Sequence, residues 1–163
     1  MARIRLIDCD LELFDLALRD SVLFAQRTGV RLAEWDQFVT NLELSRRLLA
    51  ANPSLKGWWS YLIVIEDDLA VGICGYKGPP SLDGTVEIAY GVAPSHQSRG
   101  IATEAARLLI TQAFADNRVR KICAHTLPER NASTRVLEKC GLRFVGEVID
   151  VEDGRVWRWE TRR

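Results

Sequence analysis

Residues 87–115 read EIAYGVAPSHQSRGIATEAARLLITQAFA. From Thr85 to Val92 the chain alternates. Val86, Ile88, Tyr90 and Val92 fall on one face, with Glu87, Ala89 and Gly91 on the other, which is the period of a strand. Pro94 ends it. After a short polar loop, Ser95 to Ser98, the residues Ile101, Ala105, Leu108, Leu109 and Phe114 form one apolar stripe, so a helix opens at Arg99 or Gly100. A strand that enters a helix through such a loop aims unpaired backbone N–H groups and the positive end of a helix dipole at one point. Those are the requirements for holding a phosphate or pyrophosphate. Gly100 has no Cβ and lets the backbone approach an anion, and Arg99 adds a bidentate charged contact. Neither G-x-x-x-x-G-K-[ST] nor G-x-G-x-x-G occurs in the chain, which argues against the two better-known nucleotide loops.

Working outward, Arg3 to Asp8 predicts a first strand and Leu11 to Arg19 a helix, with Asp8 or Asp10 as its N-cap. Gly29 is a breaker, and a second helix is expected from Glu34 to Ala51, stopped by Asn52-Pro53. Trp58 to Glu66 and Leu69 to Lys77 read as a hairpin around Glu66-Asp67-Asp68. A strand over Arg120 to Leu127 and a short helix over Ala132 to Lys139 follow, the helix ending at Gly141. Phe144 to Ile149 and Val156 to Thr161 form a last hairpin around Glu152-Asp153-Gly154. The order βαα-ββ-βα-βα-ββ predicts an α/β fold, α+β in detail, on one mixed sheet. A length of 163 residues fits a single domain, 1–163.

Composition narrows the function. Twenty-two Lys plus Arg balance 22 Asp plus Glu, so the basic excess that a nucleic-acid partner requires is missing. No apolar run approaches the ~18 residues of a membrane span, and Met1 to Asp10 alternates where a signal peptide would be charged and then apolar. A soluble, cytoplasmic chain with no membrane partner is expected. Cys9, Cys74, Cys123 and Cys140 are widely spaced without a C-x-x-C pair, Cys74 and Cys123 in apolar company, and His96 and His125 are the only histidines, so no metal site is expected.

Gln97-Ser98-Arg99-Gly100-Ile101-Ala102 resembles the Q/R-x-x-G-x-G/A loop with which the GNAT acetyltransferase superfamily binds the pyrophosphate of acetyl-CoA. A second segment, Asn131-Ala132-Ser133-Thr134-Arg135-Val136-Leu137-Glu138-Lys139-Cys140-Gly141-Leu142, resembles N-x-A-S-x-R-V-L-E-K-x-G-F of its Rim-type branch, which includes ribosomal-protein N-terminal acetyltransferases. The resemblance spans residues 57–161 and implies the GNAT fold. It also implies acetyl transfer from acetyl-CoA to a primary amine, either a protein α-amine or a small-molecule amine, without a metal. Three positions depart from it. Ser98 stands where glycine is usual, Asn131 is one residue closer to Ala132 than usual, and Leu137 occupies the place of the tyrosine that many members use as general acid.

The resemblance implies cofactor contacts from Val92, Ala93, Gln97, Ser98, Arg99, Gly100, Ile101, Ala102, Thr103, Asn131 and Ala132. Within these, the Val92 N–H is the donor for the thioester oxygen. It implies Glu87 as base, though a salt-bridged strand glutamate has the same sequence signature. Ser133 matches the acid for the leaving thiolate in Rim-type relatives and is also expected as the N-cap of its helix, two roles that can coexist. Trp35, Trp59, Tyr61 and His125 are candidates for the acceptor pocket, His125 also as a base, against core roles for the aromatic residues and a structural role for the histidine. A binding module for CoA without turnover, or a different nucleotide-phosphate binder, are the alternatives. An edge strand or the final hairpin is where a homodimer would pair.

Overall fold

Carboxylates set the helix boundaries of the N-terminal third. The computed structural model describes residues 2–163, so Met1 of the first alternating segment lies outside the described residues. Strand β1 (Ile4–Asp8) leads into α1 (Leu11–Arg19), and of the two caps on offer Asp10 is used, accepting from the Leu13 N–H at 2.8 Å. Asp20 closes α1 and opens α2 (Ser21–Thr28) in the same way, and Gly29 at φ 74° ends it. Helix α2 and the two-residue strand β2 (Arg31–Leu32) are additions to the expected order. The helix expected from Glu34 begins later. Glu34 is left-handed at φ 47°, Trp35–Gln37 form a 3₁₀ turn, and α3 runs Val39–Ala51. The cause is long-range, because Arg31 and Ala33 donate to the carbonyls of Asp68 and Ala70 at 2.8 and 3.0 Å. The chain is held extended through residue 33 and must turn before it can coil.

The remaining elements fall close to their expected places: β3 (Ser60–Ile65), β4 (Leu69–Tyr76), β5 (Thr85–Val92), α4 (Ile101–Phe114), β6 (Lys121–Thr126), α5 (Ala132–Lys139), β7 (Arg143–Asp150) and β8 (Gly154–Arg162). They build one mixed α/β sheet in the order β1-β3-β4-β5-β6-β8-β7, with β2 beside β4. Only β5–β6 and β2–β4 are parallel. One face buries Val86, Ile88, Ile122 and Ala124 against Ile101, Ala105, Leu109 and Leu137 of α4 and α5. The other buries Leu62, Val64 and Ala70 against Phe14, Phe24, Leu42 and Leu49 of α1–α3. Each fully buried Leu or Phe contributes about 1.5–3 kcal/mol. No helix of the described residues is long and apolar enough to cross a membrane.

Strands β5 and β6 share three rungs, Thr85↔Lys121, Val86↔Ile122 and Glu87↔Cys123, and then part. Each is held by its other neighbour. β5 stays on β4 as far as Gly72↔Val92, and β6 stays on β8 from Lys121↔Arg162 to Thr126↔Trp157. The Trp159 indole N–H donates to Thr126 Oγ1 at 3.0 Å and pins the far end of β6. The result is a V-shaped opening in the middle of the sheet.

Gly75 of β4 is a second constraint. A Cβ there would lie 1.8 Å from the Trp59 carbonyl oxygen, which accepts from the Tyr76 N–H at 2.9 Å. Backbone cannot yield cheaply, so Gly75→Ala is expected to lower the unfolding free energy by about 2 kcal/mol or more, measured by urea titration.

Candidate active site

Helix α4 opens where expected, with its first amides uncapped. Its N-cap, Gly100, has no side chain to offer, so the N–H groups of Ile101, Ala102 and Thr103 have no helical or capping partner. A Cβ on Gly100 would meet nothing within 4 Å, which leaves open space above these amides. Arg99, Arg107 and Lys139 line the hollow beside Gly100 and Thr103, with Glu104 as the one carboxylate, 3.5 Å from Arg107. Ser98 takes φ 60°, the left-handed conformation for which glycine is favoured. The backbone path of a glycine is therefore preserved with a serine in place. Gln97 turns inward, its Nε2 donating to the Val92 carbonyl at 2.9 Å, so its side chain braces the end of β5.

The opening between β5 and β6 offers unpaired donors. Lys77 N–H donates to Glu87 O and Ala93 N–H to Val71 O, so residues 87, 89, 91 and 93 turn their polar groups to β4. By alternation Tyr90 and Val92 turn theirs towards β6, which has already diverged. A cavity of about 310 Å³ fills this space and is lined by Glu87, Tyr90, His125 and Ser133, among others. His125 Nδ1 lies 2.8 Å and Lys77 Nζ 3.0 Å from the same oxygen, Glu87 Oε1. Burial opposes the charge on Lys77, but the hydrogen bond and charge of Glu87 outweigh it and raise the Lys77 pKa above the ordinary lysine value. On the opposite face of β5, Tyr90 Oη donates to the Ser133 carbonyl at 3.2 Å and lies 3.1 Å from Ser133 Oγ. Burial pushes the Tyr90 pKa up to about 12, against the hydrogen bond from Ser133.

The family model described as an acetyltransferase (GNAT) domain matches residues 10–143. The chain belongs to the GNAT acetyltransferase family. An uncharacterised N-acetyltransferase of Bacillus subtilis, YjdG, is 32% identical over 143 residues, 85% of either chain. Among solved structures, RimL, a ribosomal L7/L12 α-N-protein acetyltransferase in complex with coenzyme A, superposes with a TM-score of 0.72 at 20% identity, covering 98% of this chain and 93% of its own. The aminoglycoside acetyltransferase AAC(6')-Ib with coenzyme A gives 0.69 at 18%, covering 99% and 95%. At such identities the likeness is one of fold.

Several candidate residues of this GNAT chain sit elsewhere than the sequence suggested. Asn131, and not Ser133, is the N-cap of α5. Its side chain accepts from Thr134 N–H at 3.0 Å in a capping box, which commits Asn131 Oδ1 to the helix. The Ser133 hydroxyl is thereby left to meet Tyr90. Tyr61 is buried on the α4 side, donating to Gly57 O and accepting from Gln112, so it lines no acceptor space. Trp35 packs on Phe38 at 5.5 Å between ring centroids and likewise does not line the opening, whereas Trp59 lines a second cavity described below. Lys77 and Tyr90 join the site only in the folded chain. The alternation Ile73, Gly75, Lys77 puts Lys77 on the face of Glu87, and Tyr90 reads as one more core residue until α5 is packed beside it. Among the described residues no cluster of three or more His, Cys, Asp or Glu is arranged to hold a metal.

A serine held at φ 60° carries roughly 1 kcal/mol of strain. Ser98→Gly is therefore expected to raise the unfolding free energy by about that amount in a denaturant titration, with acetyl-CoA affinity retained in calorimetry.

Proposed function

We propose that this chain transfers the acetyl group of acetyl-CoA to a primary amine by direct attack, with His125 taking the proton and Glu87 holding His125. The observation that carries the reading is the 2.8 Å contact between His125 Nδ1 and Glu87 Oε1 in the opening between β5 and β6. A carboxylate only accepts, so Nδ1 carries the hydrogen and Nε2 the lone pair. An α-amine of pKa near 8 needs ~1.4 kcal/mol to become neutral at pH 7 and a lysine near 10.4 needs ~4.6 kcal/mol. The imidazole Nε2 accepts that proton, and the Glu87 carboxylate stabilises the imidazolium. Glu87 thus acts through His125, a different role from that of direct base.

Acetyl-CoA supplies the activated acyl group. The amides of Ile101, Ala102 and Thr103, with Arg99, Arg107 and Lys139 around them, hold its phosphates. The Val92 N–H donates to the carbonyl oxygen of the thioester, a type of contact whose loss costs roughly 3 kcal/mol of barrier. The Ser133 hydroxyl, positioned by Tyr90, donates to the sulfur of the leaving group. Leu137, where other members carry a tyrosine, is fully buried in the last turn of α5, so the hydroxyl offered to the sulfur comes instead from the Tyr90–Ser133 pair at its first turn. A covalent cysteine route has no support, because burial raises the pKa of all four thiols. The Cys123 value is pushed up to about 11.

The test is amine-dependent release of free thiol from acetyl-CoA. His125→Gln and Glu87→Gln are each expected to lower kcat/KM for the amine by about 10²- to 10⁴-fold with acetyl-CoA affinity retained. Wild-type turnover in His125→Gln beside a loss in Glu87→Gln would make Glu87 itself the base. Full activity in both would remove the dyad from the reaction. Cys74→Ser and Cys123→Ser are expected to keep their turnover.

A further inference from the structure

The acceptor's chemistry is written on the α3 side of β5. Beneath α3 lies a trough of about 480 Å³, within the range that buries most of a small organic ligand. Its walls include Phe38, Leu44, Leu48, Trp59 and Ile73. The indole N–H of Trp59 donates to the Ser45 carbonyl at 3.0 Å, which fixes the ring as a wall and satisfies its only polar atom. Leu44 and Leu48 stand one turn apart on α3 and are 44% and 39% exposed, while Leu42 and Leu49 of the same helix are sealed at 1% and 3%. The helix therefore carries two apolar stripes. One faces the core, and the other faces the trough without a protein partner.

Two charged residues reach this trough. Lys77 is already paired with Glu87 at 3.0 Å, and Glu152, at the tip of the β7–β8 hairpin, makes no ion pair among the described residues. Its neighbour Asp153 lines the adjoining cavity. The two cavities meet at Lys77, Ala89 and Tyr90, so a molecule lying in the trough presents one end to the Glu87–His125 dyad. A polyamine or aminoglycoside would leave several cations against leucine and tryptophan, at a large desolvation cost. We infer that the acceptor is a primary amine with one cation and an apolar body, the body lying in the α3 trough and the ammonium drawn in past Glu152. This inference rests on the acetyl-transfer reading above.

Thiol release is measured with glycinamide, alaninamide, valinamide, leucinamide and phenylalaninamide, which vary apolar surface next to a similar amine, and with spermidine and kanamycin. The expected result is a kcat/KM that climbs by up to roughly fourfold per buried methylene, with leucinamide about tenfold or more above glycinamide and both polycations below leucinamide. The double variant Leu44→Gln, Leu48→Gln is expected to bring the leucinamide-to-glycinamide ratio towards one at an unchanged melting temperature. Glu152→Gln is expected to raise KM for leucinamide several-fold with little change in kcat. A flat amide series, or spermidine or kanamycin as the best acceptor, overturns the apolar-amine inference and leaves the acetyltransferase standing. No thiol release with any of these amines, from protein that binds acetyl-CoA, removes the acetyl-transfer reading and this inference together.

Discussion

Everything in the site depends on two parallel strands that pair for three rungs and then separate. Unpaired strand edges inside a sheet are costly because backbone N–H and C=O groups lose their partners. Here the cost is limited, since β5 remains bonded to β4 and β6 to β8 along their lengths. Only the inward-facing groups of Tyr90 and the Val92 N–H are left over, the Val92 carbonyl being taken by Gln97. Those are the groups that a polar ligand threaded between the strands would satisfy. The Trp159 to Thr126 hydrogen bond and the bonding of Gln97 to the Val92 carbonyl hold the two arms of the V at their open ends.

Strand β5 then divides the chemistry between its faces. Alternation sends Tyr90 towards α5, where it meets Ser133, and sends Glu87 to the other side, where it meets Lys77 and His125. The Glu87–His125 pair and the Tyr90–Ser133 pair are thus kept apart by the thickness of one strand while lining one cavity, which is the separation that the proposed acetyl transfer needs between its amine and its thiolate. The loop after β5 makes its own concession. Ser98 adopts a glycine-like φ of 60°, so that the chain turns into α4 with its first amides uncovered. Local strain of this kind persists where the surroundings determine the backbone path.

Much of this was legible in the residues themselves. The alternation of Val86, Ile88, Tyr90 and Val92, the stripe from Ile101 to Phe114 and the length of α5 are local patterns, and they appear in the structure at nearly the expected boundaries. The loop with uncapped amides was legible because Gly100 and a helix start are adjacent in the chain. Helix α2, strand β2 and the late start of α3 were not legible, because hydrogen bonds to Asp68 and Ala70, more than thirty residues away, decide where the chain stays extended. The same limit applied to Asn131, whose capping role emerges only when the Thr134 amide and hydroxyl are both in place.

By itself, then, the sequence determined the order of elements from β3 onward, the mixed sheet, the family and the loop that opens α4, since these follow from periodicity and from contiguous motifs. The tertiary structure decided that β5 and β6 part after Glu87. It also brought together Lys77 from the end of β4, Glu87 of β5 and His125 of β6, turned Tyr61 into the core, and left Leu44 and Leu48 over a trough. Side chains distant in the chain become neighbours only through strand register and helix packing, and a linear pattern does not encode which of two apolar stripes on α3 will find a partner.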